Sequence, residues 1–215
     1  MKNSDINTTI INGHTLEFIE NGHIYVCDGE IVPSITQILK LKFGGKYDHV
    51  NRQTLQKASE KGTMVHEAIE KYCKYGYESD LPELRNFKFL QRAYKFDVIW
   101  NEVPVILSFD GEPVSAGRLD LVIEKIGEDG VLYGERGIAD IKRTSTLDKE
   151  YLAYQLNLYR IAYQQCYGMK IDFLKGIHLR EEKRKYVDIP INEEMAIELV
   201  KEYLENNKSD SEDNL

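Results

Sequence analysis

Apolar and polar residues alternate along Gly117-Arg118-Leu119-Asp120-Leu121-Val122-Ile123-Glu124 and again along Gly137-Ile138-Ala139-Asp140-Ile141-Lys142, with a polar, Gly-rich turn between the two runs. Such a pair of runs predicts a β-hairpin. A period of two puts Leu119, Leu121 and Ile123 on one face and Asp120 on the other, with Arg118 and Val122. On the second run Ala139 and Ile141 share a face, and Asp140 and Lys142 lie opposite. If the hairpin is symmetric about a turn near Gly130, Asp120 and Asp140 face each other across the strands. Two carboxylates so placed repel unless a cation lies between them. A divalent metal, with Lys142 beside it, would resolve the conflict.

The same reading carries along the chain. Residues up to about Thr15 are polar and expected to be loosely held. Leu16, Phe18, Ile24 and Val26 alternate with polar residues around Asn21-Gly22, a strong hairpin signal. Ser34, with Gln37 three residues on, caps a short helix that Gly44-Gly45 ends. A long helical stretch begins at Asp48, is interrupted at Gly62-Thr63, and resumes with Val65, Ala68, Ile69 and Tyr72 as its buried stripe and His66 in its first turn. Pro82 suits the first position of a helix to Phe96, whose apolar residues are Leu84, Phe87, Leu90 and Tyr94. A strand from Val98 to Phe109 leads into the Gly117 hairpin. A helix from Asp148 to Tyr167 then carries Leu152, Gln155, Tyr159 and Ala162 on one stripe, with Gly168 as its stop. Strands at about 172–179 and 185–189 and a helix from Asn192 to Tyr203 follow. The order predicts an α/β domain over residues 1–205, a central mixed sheet flanked by helices with the N-terminal hairpin 15–32 as an accessory. Residues 206–215 are polar and acidic and are expected to be disordered.

With 215 residues, 42% hydrophobic and 30% charged, the composition is that of an ordinary globular protein. No apolar run is long enough to span a membrane, and the first residues lack the apolar core of a signal peptide. A cytoplasmic location, without membrane, is expected. Cys27, Cys73 and Cys166 are too widely spaced for a metal knuckle. The net charge of −8 argues at first against a nucleic-acid partner. Locally, however, the segment from Lys40 to Lys61 sets six basic residues against two acidic ones, a balance of +4. Such a segment permits a polyanionic substrate.

Single residues carry little alone. Asp140-x-Lys142 is a common spacing, and Glu181-x-Lys183 shares it in a charged, turn-like run. His66 by itself reads as a hydrogen-bonded helix residue, and Gln155 and Tyr159 as a semi-buried pair on one helix face. Glu67, Glu70 and Glu102 read as structural or solvent-facing, and Met64 and the tyrosines as core. Together, Gly62-Thr63-x-x-His66, Gly117-x-x-Asp120, Asp140-x-Lys142 and Gln155-x-x-x-Tyr159 resemble the PD-(D/E)XK nuclease superfamily, in particular its RecB-like exonuclease branch. The segment Val32-Pro33-Ser34-Ile35-Thr36-x-Ile38-Leu39 is similar to one that precedes this core in phage-encoded and mitochondrial exonucleases of the branch. The resemblance spans about residues 32–168.

The resemblance implies a restriction-endonuclease-like core and metal-dependent hydrolysis of DNA at ends or single strands. His66, Asp120, Asp140 and the Ile141 carbonyl would hold Mg²⁺ or Mn²⁺. Lys142 would position or activate the attacking water. Gln155 and Tyr159, with Arg118 and Thr144, would contact the substrate strand. Relatives with an iron–sulfur cluster use four cysteines; three at other spacings imply no cluster. Partners would be DNA, with a second copy of the chain or a recombination protein as further candidates, in a bacterium or a phage-infected host. The alternatives are a nuclease-like fold that binds DNA ends or a protein with little catalysis, and a structure-specific endonuclease.

Overall fold

A computed structural model of the chain describes residues 6–45 and 50–212, with side chains as far as residue 207. The chain runs β1 (Ile6–Ile11), β2 (His14–Ile19), β3 (Ile24–Cys27), β4 (Glu30–Val32), α1 (Ile35–Phe43), α2 (Arg52–Tyr75), α3 (Pro82–Tyr94), β5 (Phe96–Phe109), β6 (Glu112–Ile126), β7 (Leu132–Lys142), α4 (Lys149–Tyr167), β8 (Phe173–Leu179), β9 (Arg184–Ile189) and α5 (Glu193–Glu212). Strands β5 to β9 form one mixed sheet in sequence order, antiparallel except for the parallel pair β7–β8. Parallel neighbours cannot be joined by a tight turn. Helix α4 is the crossover between them.

Each face of this sheet has its own apolar layer. On one face Val105, Leu119, Val122, Ile138 and Leu174 pack under α1, α4 and α5 through Ile35, Leu156, Ala162 and Leu199. On the other, Leu121, Ile123, Ala139, Ile141 and Ile177 meet Val65 and Ile69 of α2 and Leu84, Phe87 and Leu90 of α3. The chain is thus an α/β protein with a mixed five-stranded sheet flanked by helices.

The N-terminal element is larger than the expected hairpin 15–32. Strands β1 to β4 make a four-stranded antiparallel sheet beginning at Ile6, and the stretch expected to be loose is its edge strand. Periodicity could not reveal β1 because Ile6 to Ile10 are exposed and Ile11 alone is buried; backbone pairing to β2 holds the strand. Ile11, Leu16, Phe18, Tyr25 and Cys27 seat this sheet on Ile106 and Ala116 of the central sheet.

Helix boundaries follow their caps. Ser34 forms the expected capping box with Gln37 at the start of α1. Helix α2 begins instead at the cap residue Asn51 and runs unbroken through Gly62 and Thr63, so His66 lies in its middle and not in a first turn. One glycine costs a helix only about 1 kcal/mol, and Val65 and Ile69, both buried, hold the helix against the sheet. Helix α3 stops at Tyr94, where Lys95 takes a left-handed conformation, and β5 starts at once. Tyr94 and Met64, expected in the core, are exposed. Helix α5 continues past Tyr203 to Glu212, through most of the stretch expected to be a disordered tail. The expectations for residues 1–5, for Lys46 and Asp48 of the basic segment and for residues 213–215 lie outside the described residues.

Candidate metal centre

Strands β6 and β7 pair as far as Leu121↔Ala139; the next residues in register are Asp120 and Asp140, as the hairpin symmetry predicts. There the strands part. The Asp120 carboxylate takes the place of the next ladder acceptor, receiving the Ile141 N–H at 2.7 Å. This departure has a cost in regularity. Leu119 falls in the layer under α4, whereas Leu121 and Ile123 fall in the layer under α2, so the three do not share the face that strict alternation predicts.

The neighbouring strand is irregular at the same level. Asn101 pairs with Leu121 and Val103 with Leu119, leaving Glu102 across from Asp120. Glu102 stands at φ 51°, a left-handed conformation that costs a non-glycine residue on the order of 1 kcal/mol or more and concentrates at functional sites. Its carboxylate accepts from Arg118 Nε at 2.7 Å and lies 3.7 Å from His66 Nδ1. Arg118, expected to touch substrate, is engaged here, with its guanidinium also 4.9 Å above the Phe18 ring.

Helix α2 delivers His66 to this point. Its Nε2 donates to the Ile141 carbonyl at 3.1 Å, which fixes that nitrogen as protonated because a carbonyl can only accept. Nδ1 is thereby turned toward Glu102 and Asp120, at 3.7 Å from each. Donor atoms of His66, Glu102 and Asp120 lie within 4.8 Å of one another. A metal-binding imidazole commonly anchors its other N–H on a carbonyl or carboxylate. The Ile141 carbonyl, expected as a ligand, is here the acceptor of the His66 N–H. Glu102, read from sequence as structural, joins the donor set.

Asp140 and Lys142 stand beside this triad. Lys142 Nζ is 2.6 Å from Asp140 Oδ2, and the Asp140 side chain is 4% exposed. Burial raises Asp140 above the usual carboxylate range, with Lys142 working against the shift and Asp120 adding to it. Burial would discharge Lys142, but Asp140 and Asp120 together outweigh it and hold the ammonium above its ordinary value. His66 shows the same field: burial opposes its charge, yet Asp120, the Glu102 bond and Asp140 push it up to about 9. Glu102, Asp120 and Asp140 face Arg118, Lys142 and His66, so a positive charge is wanting there once His66 gives up its proton. An imidazole with two carboxylates suits a divalent ion such as Mn²⁺ or Mg²⁺, and the residues present therefore fit that group.

Helix α4 closes the other side. Gln155 is buried with its Oε1 lacking a hydrogen-bond partner. Tyr159 is buried against Gly117, where a Cβ would meet its ring at 2.9 Å; this close approach is why the residue before Arg118 has no side chain. Burial first, then Tyr25, Asp120 and Asp140, keep the Tyr159 hydroxyl protonated. Thr144 is exposed beyond β7, and its hydroxyl donates to the Thr146 carbonyl at 2.7 Å. Glu67 and Glu70 pair with Lys71 and Lys74 on the surface of α2, as expected of solvent-facing residues.

A second grouping, His14, Cys27 and Asp28, is accounted for by hydrogen bonding. Asp28 accepts from His14 Nδ1 at 2.6 Å and from the Thr15 N–H at 2.8 Å.

No protein-family model matches the sequence, and no curated protein matches it. Among solved structures, the chain is similar to SSO0001, known from a crystal structure, at 12% identity over 80% of this chain and 75% of that one, with a TM-score of 0.42.

Proposed function

We propose that the chain is a metal-dependent deoxyribonuclease that hydrolyses phosphodiester bonds at DNA ends or single strands, an exonuclease. The observation that carries this reading is the parting of β6 and β7 at Asp120. It gathers His66, Glu102 and Asp120 within 4.8 Å of one another and leaves Lys142, ion-paired at 2.6 Å to Asp140, at the same level of the sheet.

When bound, a divalent cation at these ligands lowers the pKa of water and offsets the charge that develops on phosphoryl oxygens. Lys142 is held cationic by two carboxylates, so it acts as a donor that positions the attacking water or a phosphoryl oxygen. Asp140 fixes the ammonium, and Arg118 fixes Glu102 from the side away from His66. Tyr159, buried under α4, lies close enough to Asp120 and Asp140 for their charges to act on its hydroxyl. Arg52, Lys57 and Lys61 are exposed on the N-terminal half of α2, the helix that carries His66. They offer phosphates a basic approach to the site.

The test is a time course on a linear duplex labelled separately at each end, with Mn²⁺, Mg²⁺ or EDTA. Label is expected to leave progressively from an end with either metal and to stay in EDTA. Asp120→Ala and Lys142→Ala should each slow release by about 10²-fold or more. Undiminished activity in either variant overturns the site, and cutting of a closed circular duplex makes the enzyme an endonuclease.

A further inference from the structure

Glu102 and Pro104 of the edge strand β5 line two recesses. The first is lined by Asn7, Thr9, Phe18 and Arg118, toward the N-terminal sheet. The second, about 340 Å³, lies between Trp100, Pro104, Tyr163, Tyr167 and Met169, a size in the range of small-ligand sites. Trp100 is the chain's one tryptophan; the residue is 40% exposed and lines this second recess. Tyr167 of α4 also lines it and forms a tilted pair, ring centroids 5.0 Å apart, with Tyr163, which is fully buried behind it.

The walls are fixed before anything enters. Tyr167 donates its hydroxyl to the Pro104 carbonyl at 2.7 Å, across from α4 to β5. Arg136 is anchored by Glu124 at 3.2 Å and by Met169 Sδ at 3.0 Å, which leaves its guanidinium 5.9 Å from the indole centroid. The recess is thus an aromatic slot with a cation at one side and a candidate metal-binding carboxylate at its rim. A ligand for it needs a flat π-face, negative charge alongside and a reason to be next to the Glu102 carboxylate. A nucleotide of the substrate strand has all three.

Resting on the nuclease reading, we propose that the recess lined by Trp100, Pro104 and Tyr167 receives one nucleobase of the strand being cut, stacked on the indole. This places the nucleotide's phosphate beside Glu102. The tyrosine hydroxyls are already turned to protein partners, so recognition is by stacking and not by base edges. Every base is accepted, with purines favoured for their larger face. The slot would hold a strand end in place between successive cleavages.

Trp100 is its own reporter, and its fluorescence reads binding without turnover. The full chain, with Ca²⁺ in place of Mn²⁺ or Mg²⁺ so that a cation offsets the carboxylates, is titrated with three probes: deoxyadenosine 5′-monophosphate, a short single strand, and the same strand with an abasic terminal residue. Saturable quenching by the first two is expected, with the abasic strand binding about 5- to 100-fold more weakly, the range of one stacked base. In hydrolysis assays Trp100→Ala should raise KM by a similar factor and more than it lowers kcat, and Trp100→Phe should recover most of the loss. Hydrolysis without any fluorescence response, or with equal binding of the abasic strand, overturns the slot and leaves the nuclease reading standing. Base-dependent quenching with no hydrolysis under either metal sustains the slot and removes the nuclease reading.

Discussion

The Asp120 carboxylate serves two demands at one position: it satisfies the Ile141 N–H that the parting of β6 and β7 would orphan, and it turns a second oxygen toward His66. A buried N–H left unpaired costs about 1–3 kcal/mol. Asp120→Asn keeps an acceptor for Ile141 while removing a charge, so it should retain the fold and lose Mn²⁺ binding, as read by calorimetry beside a melting curve. Glu102 makes a sharper case, because sequence reading set it aside. Glu102→Gln preserves an acceptor for Arg118 but removes one of two carboxylates facing His66 Nδ1. Apparent Mn²⁺ affinity should fall by about 10-fold or more, and unchanged affinity would take Glu102 out of the donor set. Nothing in Asn101-Glu102-Val103-Pro104 distinguishes this glutamate from the other strand glutamates. Its importance comes from the left-handed backbone at φ 51° and from the partner strand, and neither is a property of local sequence.

At the scale of elements, two glycines that look alike in the sequence differ in kind. Gly62 lies inside α2, and a Cβ there would meet nothing within 4 Å. Gly62→Ala should therefore stabilise the protein by about 0.5–1 kcal/mol in chemical denaturation. Gly117 is pressed against Tyr159 at 2.9 Å and Ile35 at 3.3 Å. Gly117→Ala should cost about 1–3 kcal/mol as the core is overpacked and should lower activity by displacing Tyr159 beside the site. Caps were the most legible elements: Ser34, Asn51, Pro82, Asp148 and Gly168 stand at helix ends, four of them at the ends expected. Capping is settled by atoms a few residues apart, which is what a sequence records directly. The unbroken course of α2 depended on the sheet beneath it, and β1 depended on its pairing with β2.

For the molecule as a whole, the site's charges make stability depend on pH and metal together. In the metal-free protein His66 is pushed up to about 9 from 6.5. It binds its proton more tightly folded than unfolded, so its contribution is full below 6.5 and is lost as pH rises toward 9. Asp140, raised by burial, adds a loss of the same sign at lower pH, as its buried carboxylate ionises. The His66 share is at most on the order of 3 kcal/mol, and the melting temperature in EDTA should drop by several degrees from about pH 6 to about pH 9. A bound cation replaces the proton, so the rise in melting temperature on adding Mn²⁺ should grow over the same interval. A metal-induced shift that shrinks with pH would exclude His66 as a ligand. Among the described residues no helix is long and apolar enough to cross a membrane.

The sequence by itself determined the α/β order of elements, the opposition of Asp120 and Asp140 in a hairpin symmetric about Gly130, the placing of Gln155 and Tyr159 on one stripe of α4, and the placing of Asp140 and Lys142 on one face of a strand. These follow from periods of two and 3.6 and from spacings within one element or one turn. Only the tertiary structure decided which donors meet. His66 and Ile141 are 75 residues apart, and Glu102 approaches His66 from a left-handed position on β5. The Trp100 slot likewise needs β5 and α4 side by side. Periodicity says which way a side chain points along its own element, but which element lies opposite is fixed by how the layers pack, and the site is built across those layers.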